Sequence, residues 1–291
     1  MDKHTLTLAD GRTLEVLTAG TPSSNAILFH HGTPGSCNTW AEWLPAVAEL
    51  GGFAISFSRA GYGNSSRHKG RTVIAGSQDS KAILNHFGVK KSVSIGWSGG
   101  GPHCLAATTL SENVAAISIA GVAEYGSDDL DFLEGMGEEN HIEFGAALAG
   151  EETLEAWMKE NSGGTANVTG EQLIEALGGL IGNADKRSLT PTVADETASV
   201  FRHALSVSYY GWMDDDVEFV QPWGFDIRKI TKPVELWQGD EDLMVPHAHG
   251  KWLAGKIPTA KLHFEPGEGH ISLGINKRST ILKNALGYLA N

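Results

Sequence analysis

Cysteine is scarce in this 291-residue chain, which holds only Cys37 and Cys104. Two thiols cannot build a disulfide framework, and their separation matches no C-x-x-C spacing, so both are expected as buried free thiols with no metal site. Positive charge is also in short supply. Lys and Arg total 22 against 35 Asp and Glu, a formal net charge of −13, and such a surface repels phosphate backbones and anionic membranes. Nucleic acid is therefore not an expected partner. No run approaches the roughly 18 apolar residues of a membrane span. The start MDKHTLTLADGRTLEV lacks a basic segment followed by a continuous apolar stretch, and instead alternates around Asp10 and Gly11, a hairpin signal. The expectation is a cytoplasmic protein that crosses no membrane. Internal repeats of roughly 20–50 residues and low-complexity tracts are absent as well.

What the chain does hold is 41% hydrophobic residues and 36 glycines, ample for one α/β domain with a sizeable insertion. The runs AILFHHG (26–32), FAISFSRAG (53–61), SVSIGWSG (92–99), AAISIAG (115–121) and PVELWQGD (233–240) read as strands ending at glycine or a polar residue. Between the early ones lie TWAEWLPAVAEL and SQDSKAILNHFG, with helical patterning. This alternation predicts a mostly parallel sheet covered on both faces, with active groups gathered at the strands' carboxyl ends. From Val122 to Arg228 only helical patterns continue. A structureless stretch of that length is disfavoured in a compact domain. Residues 122–228 are therefore read as a helical cap inserted into a core of residues 1–121 and 229–291. Within the cap, NSGGTANVTG reads as a mobile connection.

Ser98 lies in GWSGGG (96–101), between the strand run SVSIG and the helical run PHCLAATTL. In the pattern G-x-S-x-G, Gly96 and Gly99 lack a Cβ and so permit a tight turn that lifts the serine clear of the strand. The helix behind it aims N–H groups and its positive dipole end at the place where an oxyanion would develop. A serine hydroxyl is a weak nucleophile until a base takes its proton. Of the 12 histidines, His270 is the preferred base, in a loop of FEPGEGHISLG just past the strand-like run AKLHFEP. His30, His103, His247 and His249 are read as core or surface residues. A carboxylate that orients the imidazole should follow the preceding strand, where GDEDLMVP offers Asp240, Glu241 and Asp242; residue chemistry does not separate the three.

Taken in order, HHGTPGS (30–36), SRAGYGNSS (58–66), GWSGGG (96–101), GDEDLMVP (239–246) and GEGH (267–270) resemble the α/β-hydrolase family over nearly the whole chain. The family runs nucleophile, acid, histidine along its sequence. Most similar is the group with an H-G-x-P-G loop and a helical cap, which includes proline iminopeptidase-like enzymes and small esterases. The resemblance implies an α/β-hydrolase fold and a triad of Ser98, His270 and Asp242. The acid follows from G-x-x-D-x-x-V-P, which falls on Gly239, Asp242, Val245 and Pro246; Asp240 is the second choice. Implied too are oxyanion donors at the backbone N–H groups of Thr33 and Gly99, with His31 supporting that loop and Pro34, which has no N–H, fixing it. Arg59 is expected to brace the loop by an ion pair. Relatives that dehalogenate or open epoxides carry Asp at the elbow, and Ser98 speaks against both.

The implied activity is hydrolysis of a small carboxylic ester through an acyl-enzyme, with a small acyl substrate as partner and no cofactor. The alternative is a proline iminopeptidase-like aminopeptidase whose acidic lid groups capture a substrate ammonium. That group commonly places tryptophan after the elbow serine, a pattern from which GWSGGG departs. A non-catalytic ligand-binding protein on the same fold is the third reading. Trp97, Tyr209, Tyr210 and Trp212 are taken as substrate contacts, and the run Asp214, Asp215, Asp216 as a solvated turn.

Overall fold

The computed structural model describes residues 1–290. Eight strands, β1 (Asp2–Thr7), β2 (Thr13–Ala19), β3 (Asn25–His30), β4 (Ala54–Phe57), β5 (Lys91–Trp97), β6 (Asn113–Ile119), β7 (Val234–Gly239) and β8 (Ala260–Glu265), make one sheet. Its order is β1-β2-β4-β3-β5-β6-β7-β8. β1 and β2 run antiparallel and β2 pairs antiparallel with β4, while every pair from β4 to β8 is parallel. The first two strands are the hairpin signalled by Asp10 and Gly11, where Gly11 takes a φ of 87°.

Helices α1 (Trp43–Glu49), α2 (Gly76–His86) and α3 (Gly100–Ala106) connect the central strands. Six more, α4 (Glu138–Ala149), α5 (Glu151–Ala166), α6 (Gly170–Ala176), α7 (Asn183–Ser188), α8 (Pro191–Ala204) and α9 (Tyr210–Phe219), lie between β6 and β7. Two others, α10 (His247–Lys256) and α11 (His270–Ala290), close the chain. Among the described residues no helix is long and apolar enough to cross a membrane.

Both sheet faces are covered, as the unbroken apolar character of the central strands requires. In β3, Ile27 and Phe29 pack on one side with Leu44 and Val47 of α1 and Ile281 and Leu282 of α11. Ala26 and Leu28 point the other way, towards Ile83 and Leu84 of α2. The central strands β3 to β7 thus bury alternate side chains under opposite helical layers, whereas the edge strands β1 and β8 are only partly covered.

NSGGTANVTG is mostly helical rather than a loop connection. Its first six residues complete α5, where Asn161 Nδ2 donates to the Trp157 carbonyl at 2.8 Å. Asn167 Nδ2 donates to Gly163 O at 2.9 Å, and Thr169 starts α6 with a reciprocal capping box to Gln172. Asn167 and Thr169, which suggest a loop, are spent on the adjoining ends of α5 and α6.

Candidate active site

Ser98 follows β5 directly and takes a φ of 55°, a left-handed conformation that costs a non-glycine residue on the order of 1–3 kcal/mol. The neighbouring glycines make the turn possible. A Cβ on Gly96 would fall 2.1 Å from Gly100 O, and one on Gly99 would fall 2.3 Å from Thr33 Oγ1. The serine hydroxyl is spent on no hydrogen bond among the described residues and lines a cavity of about 590 Å³.

His270 is the first residue of α11 rather than a loop residue. Its Nδ1 donates to Asp242 Oδ2 at 2.9 Å. Asp242 is itself buried, and its Oδ1 accepts from the N–H groups of Met244 (3.0 Å) and Val245 (2.8 Å). These bonds separate the three carboxylates of GDEDLMVP: Asp240 is exposed and accepts from Gly267 N, and Glu241 accepts from Ala184 N. Burial alone would lower the pKa of His270, but the Asp242 carboxylate, with a further contribution from Asp185, raises it above its ordinary value.

The loop after β3 carries Thr33 and is braced from below. Arg59 N donates to His31 Nε2 at 2.9 Å, which leaves the His31 proton on Nδ1, where it is donated to Gly32 O at 2.7 Å. Burial and the Arg59 charge hold His31 well below its ordinary pKa, hence neutral. The Arg59 guanidinium donates to His31 O, to Gly32 O at 3.2 Å and to Asp215 Oδ2 at 2.5 Å. Asp215 Oδ2 also accepts from Thr33 Oγ1 at 2.5 Å and from Tyr62 OH at 2.8 Å. The backbone N–H groups of Thr33 and Gly99 have no acceptor among the described residues, and both residues line the cavity. A pair of unspent amides beside a strained serine is what a developing oxyanion needs.

Asp214, Asp215 and Asp216 form no solvated turn; all three are buried in α9. At about 100° per residue they face three ways. Asp214 pairs bidentately with Arg67. Asp215 pairs with Arg59 and Arg71, whose charges hold it well below the usual carboxylate range against the opposing pull of burial. Asp216 shares a face with Trp212 and Phe219 and lines the cavity. It has no N–H or O–H partner among the described residues; burial and the neighbouring Glu143 push its pKa well up. Asp215 is the residue that sequence reasoning missed. Its signal was available: SRAGYGNSSRHKGR supplies Arg59, Arg67 and Arg71, cations enough to neutralise a buried acidic run.

Of the four expected substrate contacts, Trp212 lines the cavity. The other three lie elsewhere. Trp97 packs against His270, with ring centroids 5.2 Å apart and its Nε1 donating to His270 O at 3.2 Å. Tyr210 stacks under the Arg67 guanidinium at 3.8 Å, and Tyr209 OH reaches Glu155 at 3.4 Å. Both tyrosines, at the start of α9, pack against the apolar cluster of α4, α5 and α9 and are not among the cavity-lining residues. Phe144, Trp157, Leu173, Phe201 and Phe219 supply much of the apolar wall instead.

Residues 25–276 match the alpha/beta hydrolase fold family, and the chain belongs to it. A stretch of 97 residues is 31% identical to a non-heme haloperoxidase of Rhodococcus erythropolis, covering 33% of this chain and about a third (35%) of that protein's length. A bromoperoxidase from Bacillus anthracis has a similar structure, with a TM-score of 0.71 at 20% identity over all of both chains. So has an esterase from Exiguobacterium antarcticum, with a TM-score of 0.73 at 16% identity over 99% of both. An enol-lactonase from Burkholderia xenovorans LB400 gives 0.72 at 17% identity over 99% of this chain and all of that one. At such identities the structural likeness speaks for the fold alone.

Proposed function

We propose that the protein is a serine hydrolase that cleaves a small carboxylic ester through an acyl-enzyme. The observation that carries this reading is Ser98 itself, held at a positive φ at the wall of an apolar cavity between the unspent amides of Thr33 and Gly99. His270 and Asp242, already hydrogen-bonded to each other, complete the set. Residues 122–228 act as the cap and residues 1–121 with 229–291 as the core. Two free, buried thiols suit a reducing, cytoplasmic setting; burial pushes Cys37 up to about 12.

The substrate's acyl chain lies against the apolar wall with its carbonyl oxygen at the Thr33 and Gly99 amides. The reaction requires Ser98 Oγ to meet His270 Nε2, the ring nitrogen not engaged by Asp242. The imidazole takes the hydroxyl proton as Oγ attacks, and Asp242 steadies the imidazolium. Collapse of the tetrahedral intermediate expels the alcohol, to which His270 returns the proton. Water then repeats the sequence on the acyl-enzyme.

A second reading, cleavage of an amine-bearing substrate in the manner of an aminopeptidase, is favoured by one observation: the buried Asp216 carboxyl group, pushed towards its protonated form by burial and Glu143, faces the cavity without an N–H donor, and an incoming ammonium would draw it to the charged form. The two readings part in one panel of p-nitrophenyl acetate, butyrate and octanoate with proline and alanine arylamides. Halide-dependent bromination followed in parallel covers the activity named for two of the relatives. A fluorophosphonate probe should label the protein once, at Ser98. Equal labelling of Ser98→Ala would overturn the assignment of the nucleophile.

A further inference from the structure

The segment from Ile181 to Asp185 lies in the helical insertion, yet it touches both partners of the His270–Asp242 pair. Ile181 makes an isolated antiparallel bridge with Asp242. Ala184 N donates to Glu241 Oε2 at 3.0 Å, in the same loop. Asp185 then turns to the helix that carries the base. Its Oδ2 accepts from His270 N at 2.9 Å, and its Oδ1 accepts from Ile271 N at 2.8 Å and Ser272 N at 2.9 Å. The carboxylate is completely buried and meets no Lys or Arg side chain among the described ion pairs. Its counter-charge is the positive end of a 21-residue helix.

This arrangement holds every polar handle of His270 outside Nε2. Asp185 takes the backbone N–H, Trp97 donates to the carbonyl, and Asp242 takes Nδ1. Gly269 is part of the same fit, because a Cβ there would lie 2.5 Å from the Asp185 carboxylate. A helix end needs acceptors for its first N–H groups, and a local Ser, Thr or Asp usually supplies one. Here the acceptor comes from a distant segment, so the first N–H groups of α11 are satisfied by a side chain 85 residues away in sequence.

We propose that Asp185 is a positioning residue for the hydrolytic reaction: it clamps the first turn of α11 so that the His270 imidazole stays aligned between Asp242 and Ser98. The effect on chemistry runs through His270, because the hydrogen bonds of Asp185 go to the N–H groups of His270, Ile271 and Ser272 and none goes to Ser98, Thr33 or Gly99. Its charge also acts on the imidazole, adding to the pull of Asp242 towards the protonated form.

The inference rests on the acyl-transfer reading, so its test includes a readout that needs no turnover. Asp185→Asn keeps the volume but sets an amide donor against one or two N–H groups. On p-nitrophenyl acetate kcat should fall about tenfold to a hundredfold with KM within about twofold, the size expected for a misaligned catalytic group. The acid limb of kcat/KM should move to lower pH, and the downfield proton resonance of His270 Nδ1–H should broaden or shift. Ser272→Ala, which removes the Gly269 N to Ser272 Oγ bond in the same turn, should lower Tm while leaving that limb and the resonance in place. If Asp185→Asn does not fold, Gly269→Ala displaces the same carboxylate with its charge retained and should give the same kinetic split and altered resonance. An unchanged pH limb and resonance in the folded variant, or equal shifts in Ser272→Ala, would overturn the positioning role. Failure of the wild type to hydrolyse any ester would count against the acyl-transfer reading, and the resonance would still decide the alignment of His270.

Discussion

Replacing Asp215 by Asn tests whether the acidic run of α9 supports the oxyanion loop. The wild-type carboxylate is completely buried and accepts from Arg59, Arg71, Tyr62 and Thr33. Asn preserves the volume and one accepting oxygen, but removes the charge and turns an NH₂ group towards donors. Breaking a buried ion pair from one side costs about 3–5 kcal/mol, because the partner charge stays buried without compensation. Arg71 keeps Glu218, and Arg59 keeps the carbonyl oxygens of His31 and Gly32, so the lower end, about 3 kcal/mol, is expected. That is a large share of a typical total of about 5–15 kcal/mol. The second effect falls on catalysis, because Thr33 loses the acceptor that fixes it. Deleting an oxyanion donor costs about 10²–10³ in kcat; here the donor is displaced rather than deleted, and a loss of about 10–100-fold is expected with KM little changed. Urea unfolding followed by tryptophan fluorescence, together with ester kinetics on the folded variant, measures both. A variant within about 1 kcal/mol of wild type and about twofold of its kcat would refute the bracing of Thr33 by this charge.

Asp242→Asn should lower kcat by about 10⁴ through loss of imidazole orientation, whereas Asp240→Asn, at an exposed group bonded to Gly267 N, should leave it within about threefold; steady-state kinetics on both decides which carboxylate serves His270. Because the His270 pKa is raised in the folded chain, the acid limb of kcat/KM should lie above the ordinary 6.5 of free histidine. The same shift means that the native state binds the proton more tightly, so the pair's contribution to stability is complete below about pH 6.5 and lost as pH rises through the raised value. Asp242→Asn should accordingly shift the urea midpoint more at about pH 5 than at about pH 9. Trp212→Ala should re-rank acetate, butyrate and octanoate esters by several-fold in kcat/KM, on the order of 1–3 kcal/mol per lost contact, while Tyr209→Ala and Tyr210→Ala should lower Tm and leave the ranking alone.

The core of the fold was legible because its signals are local. Apolar runs with turn residues at their ends mark β3 to β8, and the glycines of GWSGGG mark a turn that only residues without a Cβ can make. The likeness of GDEDLMVP to the family pattern G-x-x-D-x-x-V-P then implied Asp242 among three carboxylates. What escaped was everything set by partners far along the chain. Asp215 meets Arg59 across 156 residues and Asp185 meets His270 across 85, and no window of sequence contains both members of either pair. Three adjacent aspartates look solvated for a sound reason, since buried carboxylates are costly unless paired. The pairs were in the sequence, in the arginines after β4, but their geometry was not. The tyrosines fell to a related difficulty: an aromatic in a cap helix has two faces to choose from, and the period of α9 puts Trp212, Asp216 and Phe219 on the cavity side.

Asp185 and Asp215 also change what the insertion can be mechanically. Each is a buried carboxylate from the segment between β6 and β7, one accepting from the first turn of α11 and one from Thr33 in the loop after β3. Pulling either away from its donors would strand a charge in a dry interior, at a cost of several kcal/mol. A lid hinged as one rigid body would have to break both contacts each time a substrate entered, and would disassemble the site it is meant to close. The helices α5 and α6 stand apart from this constraint. They supply Trp157 and Leu173 to the cavity wall and pack on α8 and α4, and the ion pair that α5 makes with the core, Lys69 with Glu151 at 3.2 Å, joins two exposed side chains. Such a pair is worth about 0–1 kcal/mol. What holds α5 and α6 is apolar burial instead, with Leu154, Met158 and Leu173 all buried, so moving them costs hydrophobic contact rather than a stranded charge.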